Sequence, residues 1–142
     1  MIPAHLLVMA ALSGPAELPS WYVPAWVVRG IAAQETRSRW SGVGEIRYVD
    51  RRDGAAGEVG PWQISPVALS TLGAYHLRDR IRQEPLLAES ITRAWLLHLH
   101  DIVHSWPAAV RAYNAGLAGR SCRAAQLYLN HVLILGNAKA KS

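Results

Sequence analysis

Apolar residues recur at steps of three and four along the segment between Pro85 and His104. This spacing places them on one face of a helix, because an α-helix repeats every 3.6 residues. The segment therefore predicts one long helix with a buried face, and helix is the main structure expected in the chain. The residues of that face are Leu87, Ile91, Ala94, Trp95, His98, Leu99 and Ile102.

Proline, serine and glycine residues delimit further helices. Proline suits the first turn of a helix, where its missing N–H costs nothing, serine suits the cap before that turn, and glycine suits the end. The predicted helices run from Pro24 to Arg37 with Glu35 in the last turn, from Ser65 through Leu72 to Tyr75, over 108–114 with Gly116 as terminator, and from the cap Ser121 to Gly136.

Two other segments complete the predicted fold class. Residues 45–49 alternate polar and apolar, 51–54 are turn-like, and 55–59 return as a second short strand, which predicts a small β-hairpin. The apolar start, Met1–Leu12, is either a helix on the core or a weakly signal-like segment, since no Lys or Arg precedes it. We expect a single domain over 1–142, mostly α, with about six helices, one small hairpin and positions 1–20 as a candidate N-terminal extension.

Composition narrows the class of protein. The 142 residues are 51% hydrophobic and 18% charged, which excludes a disordered polyelectrolyte. Cys122 is the sole cysteine, so there is no internal disulfide framework and no Cys-rich zinc site. The net charge of +5 predicts an anionic partner: nucleic acid, a membrane surface or the bacterial wall. No apolar run reaches the roughly 18 residues of a spanning helix, so we expect no stable membrane insertion.

Three short motifs follow one another along the chain. Glu35 stands near the end of an otherwise apolar helix, Gly60-Pro61-Trp62-Gln63-Ile64 follows the hairpin, and Ala112-Tyr-Asn-Ala-Gly116 comes later. In order and content they resemble the lysozyme-like superfamily, most closely the soluble lytic transglycosylase group, whose members commonly carry a helix-terminal Glu, then Gly-Leu-Met-Gln-Ile, then Ala-Tyr-Asn-Ala-Gly. The resemblance spans about residues 24–133 and implies an α+β lysozyme-like fold.

The sequence departs from that group in three places, of which the first is Pro61-Trp62 where the middle motif has Leu-Met. Thr36 follows the Glu where the group often has Ser, and the spacer before Gly60 is longer and holds the predicted hairpin. The hairpin is more similar to c-type lysozymes, in which an acidic residue lies two positions before the corresponding glycine. Glu58 has that position here. Cyclisation and hydrolysis of the product both stay open.

The resemblance implies cleavage of peptidoglycan between N-acetylmuramic acid and N-acetylglucosamine, with Glu35 as the catalytic acid. A carboxyl group can give a proton near neutral pH if apolar surroundings raise its pKa. A hydrolase needs a second carboxylate, for which Glu58 is the first candidate and Asp50 and Asp53 are the next. A lytic transglycosylase needs none, because the substrate's N-acetyl group assists and Glu35 then acts as base on the sugar's 6-hydroxyl, which leaves a 1,6-anhydro end.

By the same resemblance four residues line the cleft. Tyr113 would lie near the Glu and the reacting sugar with Asn114 beside it, Gln63 would form the floor, and Trp62 is either a stacking platform for a sugar ring or a core residue. No cofactor and no metal is required. His98, His100 and His104 lack the Glu of an H-E-x-x-H zinc site.

The expected partner is therefore the peptidoglycan glycan strand. We expect the protein to act as a monomer in the bacterial envelope or periplasm. Association with a phage or a secretion apparatus stays open, and the sequence does not specify an export route. Two other classes stay open: a lysozyme-like module that binds glycan without cutting it, and a small basic nucleic-acid binder. No nucleic-acid motif is present in the sequence, so we expect no nucleic-acid partner.

Overall fold

The computed structural model describes residues 23–36 and 53–137, and these form an all-α arrangement of six helices. A 3₁₀ turn, Tyr75–Leu77, precedes the third helix. The helices are α1 (Ala25–Thr36), α2 (Pro66–Thr71), α3 (Arg78–Gln83), α4 (Pro85–Val103), α5 (Trp106–Gly119) and α6 (Arg123–Asn137).

The β prediction is wrong where it can be compared with the structure. Residues 55–57 form a turn instead of a strand, and Val59 makes only a single antiparallel bridge with Ile64. No strand occurs in the two described ranges. The predicted first strand at 45–49, Asp50 and positions 1–20 lie outside the described residues.

Serine caps start two helices, and the cap at Ser65 is the one that was predicted. The Ser65 hydroxyl accepts a hydrogen bond from the N–H of Ala68 at 3.1 Å, and that of Ser105 accepts one from Ala108 at 3.3 Å. At α6 the cap is Cys122, not Ser121: its Sγ accepts from the N–H of Ala125 at 3.4 Å. The cap therefore lies one residue later than predicted, because the helix begins at Arg123, directly after Cys122.

Helix α4 is the centre of the fold and confirms the long predicted helix. It packs against α1, α3 and α5, and its buried face includes Leu87, Ile91 and Leu96. It ends where His104 adopts a left-handed conformation with φ 59°. Within the described ranges, no helix is both long and apolar enough to cross a bilayer.

Helices α1 and α6 approach each other closely through two glycines. A Cβ at Gly30 would lie 2.2 Å from the carbonyl oxygen of Val132, and one at Gly136 would lie 2.0 Å from that of Trp26. Gly136 is thus a contact residue within α6, not the predicted terminator. Gly116 does interrupt helical geometry at φ 77°, ψ 166°, although a last turn to Gly119 follows it.

Candidate functional site

Glu35 lies in the last turn of α1, after the buried residues Ile31 and Ala32. Its Oε1 accepts a hydrogen bond of 2.8 Å from the hydroxyl of Tyr128 on α6. The α1–α6 contact therefore carries the carboxyl group to the edge of the core, where one side of it faces protein and another faces a cleft.

The pKa of Glu35 is raised above the ordinary value of a glutamate. Burial is the main cause, since it removes water from the charged form, and the negative charge of Glu58 adds to it. The hydrogen bond from Tyr128 acts in the opposite direction. The shift of the Glu35 pKa is in the direction that a catalytic acid requires.

Glu58 lies on the wall of the cleft that the turn 54–57 forms, at the end of that turn. The N–H of Gly54 donates to the carbonyl of Glu58 at 2.8 Å, and the N–H of Ala56 donates to the Glu58 Oε2 at 3.1 Å. A Cβ at Gly54 would lie 2.1 Å from Glu58 Oε2 and 2.5 Å from Gln63 Oε1. Glycine at this position leaves room for both side chains.

The floor is the tight turn 60–63 between Val59 and Ile64. The N–H of Gln63 donates to the carbonyl of Gly60 at 3.0 Å, and the side-chain amide of Gln63 donates to the same carbonyl oxygen at 3.0 Å. Gln63 has φ 48°, in the left-handed region. The amide that the motif predicts in the cleft is held by this backbone turn.

Helix α5 supplies the remaining wall. The Tyr113 hydroxyl donates to the carbonyl of Trp62 at 2.5 Å, which ties α5 to the floor, and burial together with the charge of Glu35 raises the pKa of Tyr113 well above that of an ordinary tyrosine. Tyr113 thus stays protonated and neutral. Asn114 is exposed at the edge of the cleft.

These elements enclose a cleft of about 320 Å³. Five of the six predicted site residues meet there, drawn from three separate parts of the chain. The lining residues are Glu35, Gly54, Ala55, Glu58, Gln63, Ser65, Tyr113 and Asn114.

Trp62 is the exception, and its assignment as a substrate-binding residue is wrong. Its side chain is 0% exposed, and its indole N–H donates to the carbonyl of Val28 at 2.9 Å. A ring without exposed surface cannot stack on a sugar. The core interpretation of Trp62 is the one that the structure bears out.

Asp53, the reserve candidate for the second carboxylate, is engaged elsewhere. Its two oxygens accept hydrogen bonds of 2.8 Å each from Arg82, and this pairing holds the pKa of Asp53 below its ordinary value. Among the described carboxylates, Glu58 is the one that shares the cleft with Glu35.

Tyr128 is the site residue that sequence reasoning missed. It belongs to the buried face of α6, with Ala125, Leu129 and Val132 at helical spacing. One feature of the sequence could have indicated its role, namely a tyrosine on an apolar helix face. A buried hydroxyl needs a hydrogen-bond partner, so such a tyrosine indicates a polar group nearby. Its partner, Glu35, is 93 residues away in sequence.

The histidines of α4 lie against tryptophans. The His98 ring stacks on Trp95 with centroids 5.2 Å apart, and His100 stacks on Trp106 at 4.2 Å. Over residues 23–36 and 53–137, no group of three or more His, Cys, Asp or Glu side chains is arranged to hold a metal ion.

Comparison of the chain with protein-family models, curated proteins and solved structures finds no match. The resemblance to lysozyme-like enzymes thus rests on the three motifs alone.

Proposed function

We propose that the protein cleaves the β-1,4 bond between N-acetylmuramic acid and N-acetylglucosamine in peptidoglycan, as a lytic transglycosylase with Glu35 as acid and base. The observation that carries this proposal is the partly buried Glu35, with a raised pKa, facing a cleft that also holds Glu58, Gln63, Tyr113 and Asn114. The protein would act in the bacterial envelope on glycan strands.

The chemistry follows from the protonation state of Glu35. The protonated carboxyl gives its proton to the leaving glycosidic oxygen as the C–O bond breaks and positive charge develops on the sugar ring. The substrate's N-acetyl oxygen bonds to the anomeric carbon C1 and takes up that charge. The Glu35 carboxylate then removes the proton of the 6-hydroxyl, whose oxygen attacks C1, displaces the N-acetyl oxygen and closes the 1,6-anhydro ring. Glu35 ends protonated, ready for another cycle.

The lining of the cleft supports a carbohydrate ligand. Carboxylate, amide and hydroxyl groups around it, from residues such as Glu58, Gln63 and Ser65, are suited to the hydroxyl and acetamido groups of amino sugars. The net charge of +5 also favours approach to an anionic wall polymer.

Hydrolysis is the second candidate, and Glu58 favours it. Glu58 lines the same cleft and its charge raises the pKa of Glu35. Two carboxyl groups in different environments can divide the roles, the buried one as acid and the other as nucleophile or base for water. The product would then be a reducing N-acetylmuramic acid end.

The test is mass spectrometry of the muropeptides that the protein releases from purified peptidoglycan. Wild type is compared with Glu35→Gln, Glu58→Gln and the control Glu84→Gln, which removes an exposed carboxylate paired with Arg80 outside the cleft. We expect products lighter by one water, lost in Glu35→Gln and retained in Glu84→Gln.

Three other outcomes would each support a different function. Reducing ends that disappear in both Glu35→Gln and Glu58→Gln mean a muramidase. Wall binding without released fragments means a non-catalytic glycan-binding module. Binding to nucleic acid that weakens steeply with salt, with no glycan activity, means a basic nucleic-acid binder.

A further inference from the structure

We propose that Asp53, Arg78 and Arg82 are positioning residues that clamp the cleft wall bearing Glu58 onto helix α3. The proposal rests on the proposed function in one respect, because it assigns the clamp a role in glycan cleavage through Glu58, which lines the cleft with Glu35 and would contact the glycan in either mechanism. None of the three side chains lines the cleft.

The clamp holds the turn 54–57 by both of its ends. Arg82 donates from Nε and Nη2 to the two oxygens of Asp53, each at 2.8 Å. Arg78 donates from Nη2 to the carbonyl of Gly57 at 3.4 Å and lies 3.5 Å from Asp53 Oδ2. The two arginines are one helical turn apart on α3, so a single face of that helix meets both ends of the turn.

The held segment leaves Glu58 little freedom. The N–H of Gly57 donates to the carbonyl of Gly54 at 3.0 Å, and Gly54 in turn donates to the carbonyl of Glu58. The Ala56 N–H fixes the Glu58 carboxylate from within the same turn. A displacement of Asp53 or Gly57 therefore displaces the carboxylate of Glu58.

Helix α3 can serve as the anchor because Ile81, beside the face that carries the two arginines, is in the core. Ile81 is 0% exposed, and a Cβ at Gly60 would lie 3.4 Å from its Cγ2. The same helix thus packs beneath the floor turn and holds the wall turn. It fixes the position of Glu58 relative to Gln63.

The ion pair between Asp53 and Arg82 is partly open to solvent. The side chains of Asp53 and Arg82 are 36% and 27% exposed, so salt screens their attraction. The clamp is therefore expected to add little to global stability while fixing local geometry, and this difference separates a positioning role from a structural one.

The test compares Asp53→Asn with wild type in two measurements. The first is hydrogen exchange of the Gly54 and Ala56 amides by NMR, which we expect to accelerate about threefold or more. The second is steady-state glycan cleavage, where we expect kcat/KM to fall about fivefold with the thermal midpoint nearly unchanged. The control is Asp79→Asn, which removes the other carboxylate on Arg82, 89% exposed, and should alter neither readout.

A double variant decides whether the effect passes through Glu58. In the Glu58→Gln background, Asp53→Asn should cause no further loss of kcat/KM, because the group that it positions is gone. Equal losses in both backgrounds overturn the proposal, and so does unchanged amide exchange. If wild type cleaves no glycan, the proposed function fails, and the exchange measurement still decides whether the clamp holds the wall.

Discussion

The hydroxyl of Tyr128 donates a 2.8 Å hydrogen bond to Oε1 of Glu35. This contact joins the last turn of α1 to the middle of α6, and it counteracts the rise in the pKa of Glu35 that burial causes. Burial and the charge of Glu35 raise the pKa of Tyr128 itself well above that of an ordinary tyrosine, so its hydroxyl keeps the proton that it donates. Tyr128 thus tunes the acidity of the proposed catalyst.

We predict that Tyr128→Phe moves the alkaline limb of the pH–rate profile to higher pH. Without the hydrogen bond the carboxylate of Glu35 is less stabilised, so its pKa rises further and the acid form persists to higher pH. The free energy of unfolding should fall by about 1 kcal/mol, since a buried hydrogen bond is lost. The measurement is kcat/KM against pH beside thermal unfolding, and a limb that stays in place or moves to lower pH would contradict the assignment.

Glu35→Gln should abolish most activity and also stabilise the protein at neutral pH. Loss of a general acid typically costs about 10²–10⁴-fold in rate. The folded-state pKa of Glu35 is raised, so its contribution to stability is present at pH values below the unfolded pKa and is lost as pH rises through the folded pKa. Glutamine mimics the neutral acid and can still accept from Tyr128.

The measurement is the thermal midpoint of Glu35→Gln minus that of wild type, which should lie near zero in acid and be positive at neutral pH. Glu84→Gln supplies a control of opposite sign. The Arg80 guanidinium lowers the pKa of Glu84, so Glu84 contributes stability above its unfolded pKa, and the variant should lose a little stability at neutral pH. If Glu35→Gln loses stability at neutral pH as Glu84→Gln does, the pKa of Glu35 is not raised in the folded protein, and its assignment as the acid is contradicted.

Most of the helices could be predicted from the sequence because residues close to each helix end determine where the helix begins. Pro24, Ser65-Pro66, Ser105 and Pro85 each act within a turn of their own position, and four helices begin there. Helix α3 was missed because its six residues are mostly charged and only Ile81 faces the core, so no periodicity is visible. The expected hairpin rests on the alternation of residues 45–49 and the turn-like residues 51–54, whereas residues 55–59 have no alternation of their own that would require a strand.

Site residues could be predicted where the residue type within a motif indicates the role. They could not be predicted where the role depends on tertiary contacts. Glu35, Gln63 and Tyr113 could be named from the motifs, and they line one cleft. Trp62 has the same residue type whether it faces a sugar or the core, and its contact with Val28 is set by tertiary packing. The bond from Tyr128 likewise spans 93 residues, which no local pattern encodes.

Trp62→Phe tests the core assignment directly. The variant leaves the Val28 carbonyl without its donor and opens a void, so we expect a loss of about 2–4 kcal/mol in the free energy of unfolding. Glycan affinity, measured below the unfolding temperature, should change by less than about twofold, because the Trp62 side chain is buried and is not among the residues that line the cleft. The control Tyr75→Phe alters a ring that is 51% exposed and should leave stability nearly unchanged. A large loss of affinity at unchanged stability would restore the sugar-platform interpretation.

Gly136→Ala should separate α1 from α6 and thereby alter the proposed acid. The new Cβ would lie 2.0 Å from the Trp26 carbonyl, a backbone atom that cannot swing away, so the helices must shift. Overpacking of this kind costs about 1–3 kcal/mol, which outweighs the gain of about 1 kcal/mol from replacing glycine in a helix. Gly119→Ala is the control, since its Cβ would meet only the Ala115 side chain at 3.2 Å.

Because α1 carries Glu35 and α6 carries Tyr128, the shift of the helices in Gly136→Ala should lengthen the hydrogen bond between these two residues. The alkaline limb of the pH–rate profile should then move in the same direction as in Tyr128→Phe. A destabilised variant with an unmoved limb would show that the acidity of Glu35 does not depend on the fit of these two helices.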